Sequence, residues 1–176
     1  FIGNPHPNLS YGINLDLQYK GWSLTMFFQG VAGNSIVNYA KRVTDFKHFS
    51  NNRSKERLYQ SWTPERYANH APISLPIALP GGQDVIMQNA SSFFVEDGSY
   101  FRMKDLQIGY SFPKSITSKI NAENLRVFLQ ATNLFTITKY SGLDPEIRQT
   151  SDRQIGVDRG IYPTAQTFMF GVNFNL

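Results

Sequence analysis

The sequence predicts an all-β chain: the C-terminal antiparallel strands of a transmembrane β-barrel, with long loops at one end. One observation is strict alternation. From Leu9 to Tyr19 the apolar residues Leu9, Tyr11, Ile13, Leu15, Leu17 and Tyr19 interleave with Ser10, Gly12, Asn14, Asp16 and Gln18, and the same period runs from Phe168 to the terminal Leu176. A second is length, because these runs reach the ~9 to 11 residues of a tilted membrane-spanning strand rather than the ~5 to 6 of a soluble one. The third is that short and long connections alternate, so all the long ones fall at one end of an antiparallel meander.

Strand one spans about residues 9–20. Lys20-Gly21 turns it into strand two, about 22–30, with Trp22, Leu24, Met26 and Phe28 in one phase. Strand three, about 100–112, carries Leu106, Ile108, Tyr110 and Phe112 on one face. Its upper half holds Phe101 and Met103 in the opposite phase, which predicts a bulge near Lys104-Asp105 and the possibility that Arg102 points inward above it. Pro113 ends it, and residues 114–124 have room for one helical turn. Strand four, about 125–138, alternates Leu125, Val127, Leu129 and Ala131 with Arg126, Gln130 and Thr132. Strand five, about 164–176, ends the chain.

External loops are expected at about 33–99 and 139–163. In the first, Ser54 is placed to cap a helix from Lys55 to Trp62, in which Leu58 and Trp62 share a face and which Pro64 stops. Beyond it, the Pro-punctuated run from Pro72 to Pro80 carries apolar side chains that need a partner, either neighbouring loops or another protein. Aromatic residues gather near strand ends, at Tyr11, Tyr19, Trp22, Tyr110, Phe112 and Phe174, as an interfacial girdle requires. Five strands are too few to close a barrel of this type, which needs eight or more.

Composition agrees with a β-rich membrane protein. Aromatic residues make up 14% and charged residues 17%, the latter below the ~25% of ordinary globular proteins. The first residues carry neither a basic leader nor a hydrophobic region, so no signal peptide is expected in this stretch. A net charge of +4 without a helix or aromatic platform in a recognisable motif argues against nucleic-acid binding. The absence of cysteine excludes thiol chemistry and cysteine metal sites.

No catalytic constellation is expected. His6, His48 and His70 stand in loops without ligand spacing, and no nucleophile-elbow pattern frames a serine. Asp144, Glu146, Asp152 and Asp158 lack the spacing of a calcium loop, and Asp144-Pro145 and Asp158-Arg159-Gly160 read as turns, as does Glu96-Asp97-Gly98. No metal or cofactor is therefore expected. Ligand contacts, if this region makes them, are assigned to Trp62, Tyr67, Arg102, Tyr140 and Arg148, with intra-loop stacking or ion pairing as the alternative for each. The polar strand face, Asn14, Asp16, Gln18, Thr25, Gln107, Gln130, Thr132, Asn173 and Asn175, is expected to border a lumen or a plug, while the apolar face meets lipid. A soluble β-sandwich would alternate too, and would bury that apolar face against a second sheet.

Several blocks go beyond periodicity. Gly3-Asn4-Pro5-His6-Pro7-Asn8, Phe28-Gln29-Gly30-Val31-Ala32-Gly33-Asn34, Val95-Glu96-Asp97-Gly98-Ser99-Tyr100-Phe101-Arg102-Met103-Lys104, Asn133-Leu134-Phe135-Thr136, Thr138-Lys139-Tyr140-Ser141-Gly142-Leu143-Asp144-Pro145-Glu146 and Tyr162-Pro163 occur in order along nearly the whole chain. Together they closely resemble the C-terminal end of the SusC/RagA family of TonB-dependent outer-membrane transporters. The resemblance implies a barrel of about 22 strands with an N-terminal plug in the outer membrane of Bacteroidota. It further implies import of oligosaccharides or peptides beneath a SusD-like surface lipoprotein, driven by the TonB complex through a region upstream of this chain. A non-transporting structural member of the family, and a secreted carbohydrate-binding β-sandwich, are the alternatives. The apolar run from Ser74 to Leu79 is then a candidate contact for the lipoprotein.

Overall fold

The computed structural model describes residues 2–46, 52–77, 91–147 and 154–175. Five long strands form one antiparallel sheet in the order β1-β2-β5-β6-β8. They are β1 (Leu9–Tyr19), β2 (Trp22–Ala32), β5 (Tyr100–Ser111), β6 (Asn124–Thr138) and β8 (Thr167–Asn175). Strand β2 extends to Ala32, further than the alternation indicates. Strand β8 begins at Thr167 rather than 164, and Leu176 lies outside the described residues. Among the described residues no helix is long and apolar enough to cross a membrane.

The β1–β2 turn needs positive φ at both central residues, and Lys20 (45°) and Gly21 (88°) supply it. A Cβ at residue 21 would also approach the Ser111 carbonyl oxygen at 2.7 Å, so only glycine fits there. At the same end of the sheet, β5 connects to β6 through α4 (Lys114–Thr117) and a short 3₁₀ turn (Ser118–Ile120).

Register sorts the side chains by face. Asp16, Thr25, Gln107, Gln130 and Met169 lie directly opposite one another across the five strands, and Leu17, Leu24, Ile108, Leu129 and Phe170 form the next row on the other face. All nine residues of the expected polar set lie on the first face. Polar contacts knit it: Gln130 Nε2 donates to Asp105 Oδ1 (2.7 Å), and Arg126 Nη2 donates to Ser23 Oγ (3.0 Å) and Gln107 Oε1 (3.2 Å).

The apolar face is uncovered: Ile13 is 50%, Leu15 39%, Ile108 41% and Phe170 69% exposed. Aromatic clusters mark both of its ends. Trp22, Tyr110 and Phe112 meet in sequence near the short turns, tilted and then edge-on, with centroids 4.9 and 5.0 Å apart, and Phe101 stacks with Tyr11 and Phe28 near the long loops.

The long connections are not structureless. Beyond Gly33 (φ 83°) the chain bends out of the large sheet into β3 (Ser35–Asn38), which pairs antiparallel with β4 (Val95–Asp97) and parallel with β7 (Val157–Asp158). Glu96 and Asp97, expected in a turn, therefore belong to a strand, because β3 and β4 continue the β2–β5 ladder past the bend. The helices α1 (Tyr39–Asp45), α2 (Lys55–Tyr59) and α3 (Pro64–Ala68) follow β3.

Ser54 does cap α2, its Oγ accepting from Arg57 N–H (3.1 Å), but that helix ends at Tyr59 rather than Trp62. The cause is competition. Ser61 is drawn into a bridge with Leu75, and Trp62 N–H donates to the Leu75 carbonyl (2.9 Å). Thr63 then caps α3 with Pro64 at its first position. Pro64 opens a helix here, and Leu58 and Trp62 do not share one.

The cap formed by these connections has a small core of its own, in which Phe46, Leu75 and Phe94 are buried with Val37 and Phe93 packed against them. The apolar run after Pro72 thus places Leu75 inside the cap, while residues 78–80 lie outside the described residues.

Candidate functional site

The bulge between Met103 and Asp105 does more than interrupt a ladder. Met103 pairs with Phe28 and Asp105 with Phe27, leaving Lys104 without a register partner. One extra residue inverts the alternation above it. Arg102, in phase with Leu106 of the apolar face by simple counting, is carried to the polar face opposite Gln29 and Thr136.

There Arg102 is 3% exposed and its donors are directed to acceptors. Nε donates to Thr136 Oγ1 (2.7 Å), Nη2 to Asp144 Oδ1 (2.5 Å) and Nη1 to Glu146 Oε2 (2.6 Å). Lys104 Nζ reaches both Glu146 oxygens, at 2.8 and 2.6 Å. Asp144 also accepts from Glu146 N–H and Thr164 N–H, both at 2.9 Å. These groups pin the loop after β6, and the approach to β8, onto the upper end of β5.

Burial pushes the Asp144 carboxyl up, but the Arg102 guanidinium and the N–H groups of Thr164 and Glu146 outweigh it and hold the group below its ordinary value. The unfolded reference is about 3.9. A depressed folded value means that the contribution of Asp144 is complete above pH ~4 and is lost as pH falls through the folded value. Acidification of the full-length protein below pH ~4 should therefore loosen residues 139–147, read as faster limited proteolysis in that segment, and Asp144→Asn should blunt the response.

Next to this latch, Tyr140 donates its buried hydroxyl to Asp158 Oδ2 (2.6 Å), and burial followed by that carboxylate pushes the phenol up. Asp158 Oδ1 accepts from Gly160 N–H (2.8 Å) and Ile161 N–H (3.2 Å). Glu96 accepts from Ser141 N–H and Oγ, each at 2.8 Å, and from Lys41 Nζ at 3.1 Å. Burial alone would raise the Glu96 carboxyl, but these donors lower it.

The five expected contact residues therefore separate. Arg102 and Tyr140 are buried and engaged within the protein. Trp62 and Tyr67 are exposed, with ring centroids 6.4 Å apart at 40°. Arg148 lies outside the described residues, as do His48 and Asp152. Among the described residues no group of three or more His, Asp or Glu side chains is placed to hold a metal.

Sequence reasoning missed Asn38, Lys41 and Asp45, which help line a cap cavity of about 490 Å³. It also missed the pairing of Arg102 and Lys104 with Asp144 and Glu146. The matching i, i+2 spacing of two cations and two carboxylates was the available signal.

No family model matches the chain. Among curated proteins it is 33% identical over 178 residues to a TonB-dependent receptor, P3, of Formosa agariphila, covering 98% of this chain and 17% of that protein. It is 26% identical over 170 residues to the TonB-dependent receptor SusC of Bacteroides thetaiotaomicron, covering 96% of this chain and 15% of that one. The chain thus spans about a sixth of the length of these relatives. Among solved structures, a chain of the RagAB peptide transporter superposes with a TM-score of 0.77 at 25% identity, covering 98% of this chain and 17% of the other. These relatives are receptors and transporters rather than enzymes. A two-faced antiparallel sheet, a cap of long connections latched to it through Arg102, and likeness in both sequence and fold place this chain in the SusC/RagA family of TonB-dependent outer-membrane transporters, as a C-terminal portion.

Proposed function

We propose that this chain forms the last strands and two external loops of an outer-membrane active transporter. The transporter imports oligosaccharides or peptides beneath a SusD-like surface lipoprotein and is energised through TonB by a region beyond this chain. The observation that carries the reading is the sheet itself: one uncovered apolar face bounded by aromatic clusters, backed by a polar face tied together by hydrogen bonds. Such a sheet suits lipid on one side and a water-filled lumen on the other. Asn14, Asp16, Gln18, Thr25, Gln107, Gln130, Thr132, Asn173 and Asn175 border that lumen or the plug. Exposed Trp62 and Tyr67, together with Arg148, are the ligand-contacting candidates, while Arg102 and Tyr140 position the loop that carries them.

A β-sandwich would cover the row containing Ile13, Leu15, Ile108 and Phe170, and among the described residues nothing does. The test uses the full-length protein in its own cells. It should fractionate with the outer membrane, require detergent for extraction, co-purify with a lipoprotein, and lose substrate uptake when TonB is removed. A full-length protein that stays monomeric in aqueous buffer without detergent overturns the reading.

A further inference from the structure

We propose that the cavity in the external cap is a subsite for the ammonium group of a peptide ligand, such as a lysine side chain, a deepening that rests on the importer reading above. The cavity is about 490 Å³ and lies between α1, α2 and the segments carrying Leu75, Ser141 and Asp158. That is the volume of a small-ligand site. Phe93 and Leu75 supply apolar wall, and the polar wall is unbalanced. Among the described residues three carboxylates line it, those of Asp45, Glu56 and Asp158, against one ammonium, that of Lys41. Lys41 is already paired with Glu96 at 3.1 Å, and Asp158 is taken up by Tyr140 and two backbone N–H groups.

Among the described residues Asp45 has no cationic partner. It is 3% exposed, and its only hydrogen bond among the described residues is from Thr44 Oγ1, at 3.3 Å to Oδ1. It also occupies the last position of α1, where the helix dipole presents its negative end. A buried carboxylate at a helix C-terminus with one long hydrogen bond calls for a cation. Arg53 donates to the Phe46 carbonyl and Arg57 to the carbonyls of Pro76 and Ile77, and neither lines the cavity.

Among the described residues the carboxylates are not grouped for a metal, which favours a single organic cation. A neutral glycan would bring hydroxyl donors without the charge that Asp45 selects for. Phe93 supplies apolar wall only, since Lys41 Nζ already lies over its ring, 5.5 Å from the centroid.

The test is calorimetric titration of the full-length protein in detergent with two terminally blocked tetrapeptides, Ala-Lys-Ala-Ala and the same sequence with acetyl-lysine. Lysine acetylation should weaken binding at least tenfold. Asp45→Asn should weaken the lysine peptide about tenfold or more, the scale of a charge-assisted hydrogen bond, and leave the acetyl-lysine peptide unchanged. Glu56→Gln lies on exposed helix surface, spares the fold, and should cost about two- to threefold through a longer-range term.

Equal affinity for the two peptides, no binding of either, or an unaltered affinity in a folded Asp45→Asn protein would each reject the site. If Asp45→Asn fails to fold, the peptide pair on the native protein together with Glu56→Gln decides. Intact outer-membrane fractionation and TonB-dependent uptake without lysine discrimination would reject this subsite alone, whereas failure of fractionation would reject the importer reading first.

Discussion

Replacing Arg102 by methionine should cost the full-length protein about 3–5 kcal/mol, because it leaves Asp144 buried without its cation and removes one of the two cations on Glu146. A surface ion pair of the same composition would be worth ~1 kcal/mol or less. Burial decides which figure applies, since the Arg102 side chain is 4% and that of Asp144 9% exposed. Arg102→Lys should not restore stability, because a single ammonium cannot reach Thr136, Asp144 and Glu146 with the forked geometry of a guanidinium. The measurements are thermal unfolding in detergent and limited proteolysis between residues 139 and 147. Both should show a released loop while the barrel remains assembled. A variant with native melting and native protease resistance would show that the latch contributes nothing.

Placing arginine at Leu129 should impair assembly strongly, whereas arginine at the adjacent Gln130 should be tolerated. Leu129 stands in the apolar row with Leu24, Ile108 and Phe170, and Gln130 stands in the polar row with Thr25 and Gln107. A charge facing hydrocarbon near the bilayer midplane costs ~2–4 kcal/mol, and one facing an aqueous lumen costs little. The measurement is the fraction of full-length protein recovered as folded, heat-modifiable barrel from outer-membrane extracts. That fraction should fall severalfold for Leu129→Arg and stay near the native level for Gln130→Arg. Equal tolerance at both positions would mean that the apolar face does not meet lipid.

How much was legible follows from the range of the forces involved. The two faces of the large sheet could be read because a strand repeats every two residues, so Leu15 and Asp16 declare opposite faces without reference to any partner. The Lys20-Gly21 turn could be read because positive φ restricts residue choice at one place in the chain. The bulge was visible as a phase break around Lys104. The helix predicted to reach Trp62 failed because local propensity lost to contacts with Leu75 and to the Thr63 cap.

The sequence by itself therefore determined the strands, the sidedness of the sheet and the family likeness, all carried by local periods and contiguous motifs. Only the tertiary structure decided that Arg102 meets Asp144, that β3 gathers β4 and β7 into a second sheet, and that Asp45 is buried beside a cavity. Those partners lie tens of residues apart, and no local spacing encodes a meeting that depends on how a bulge and two long loops close upon one another.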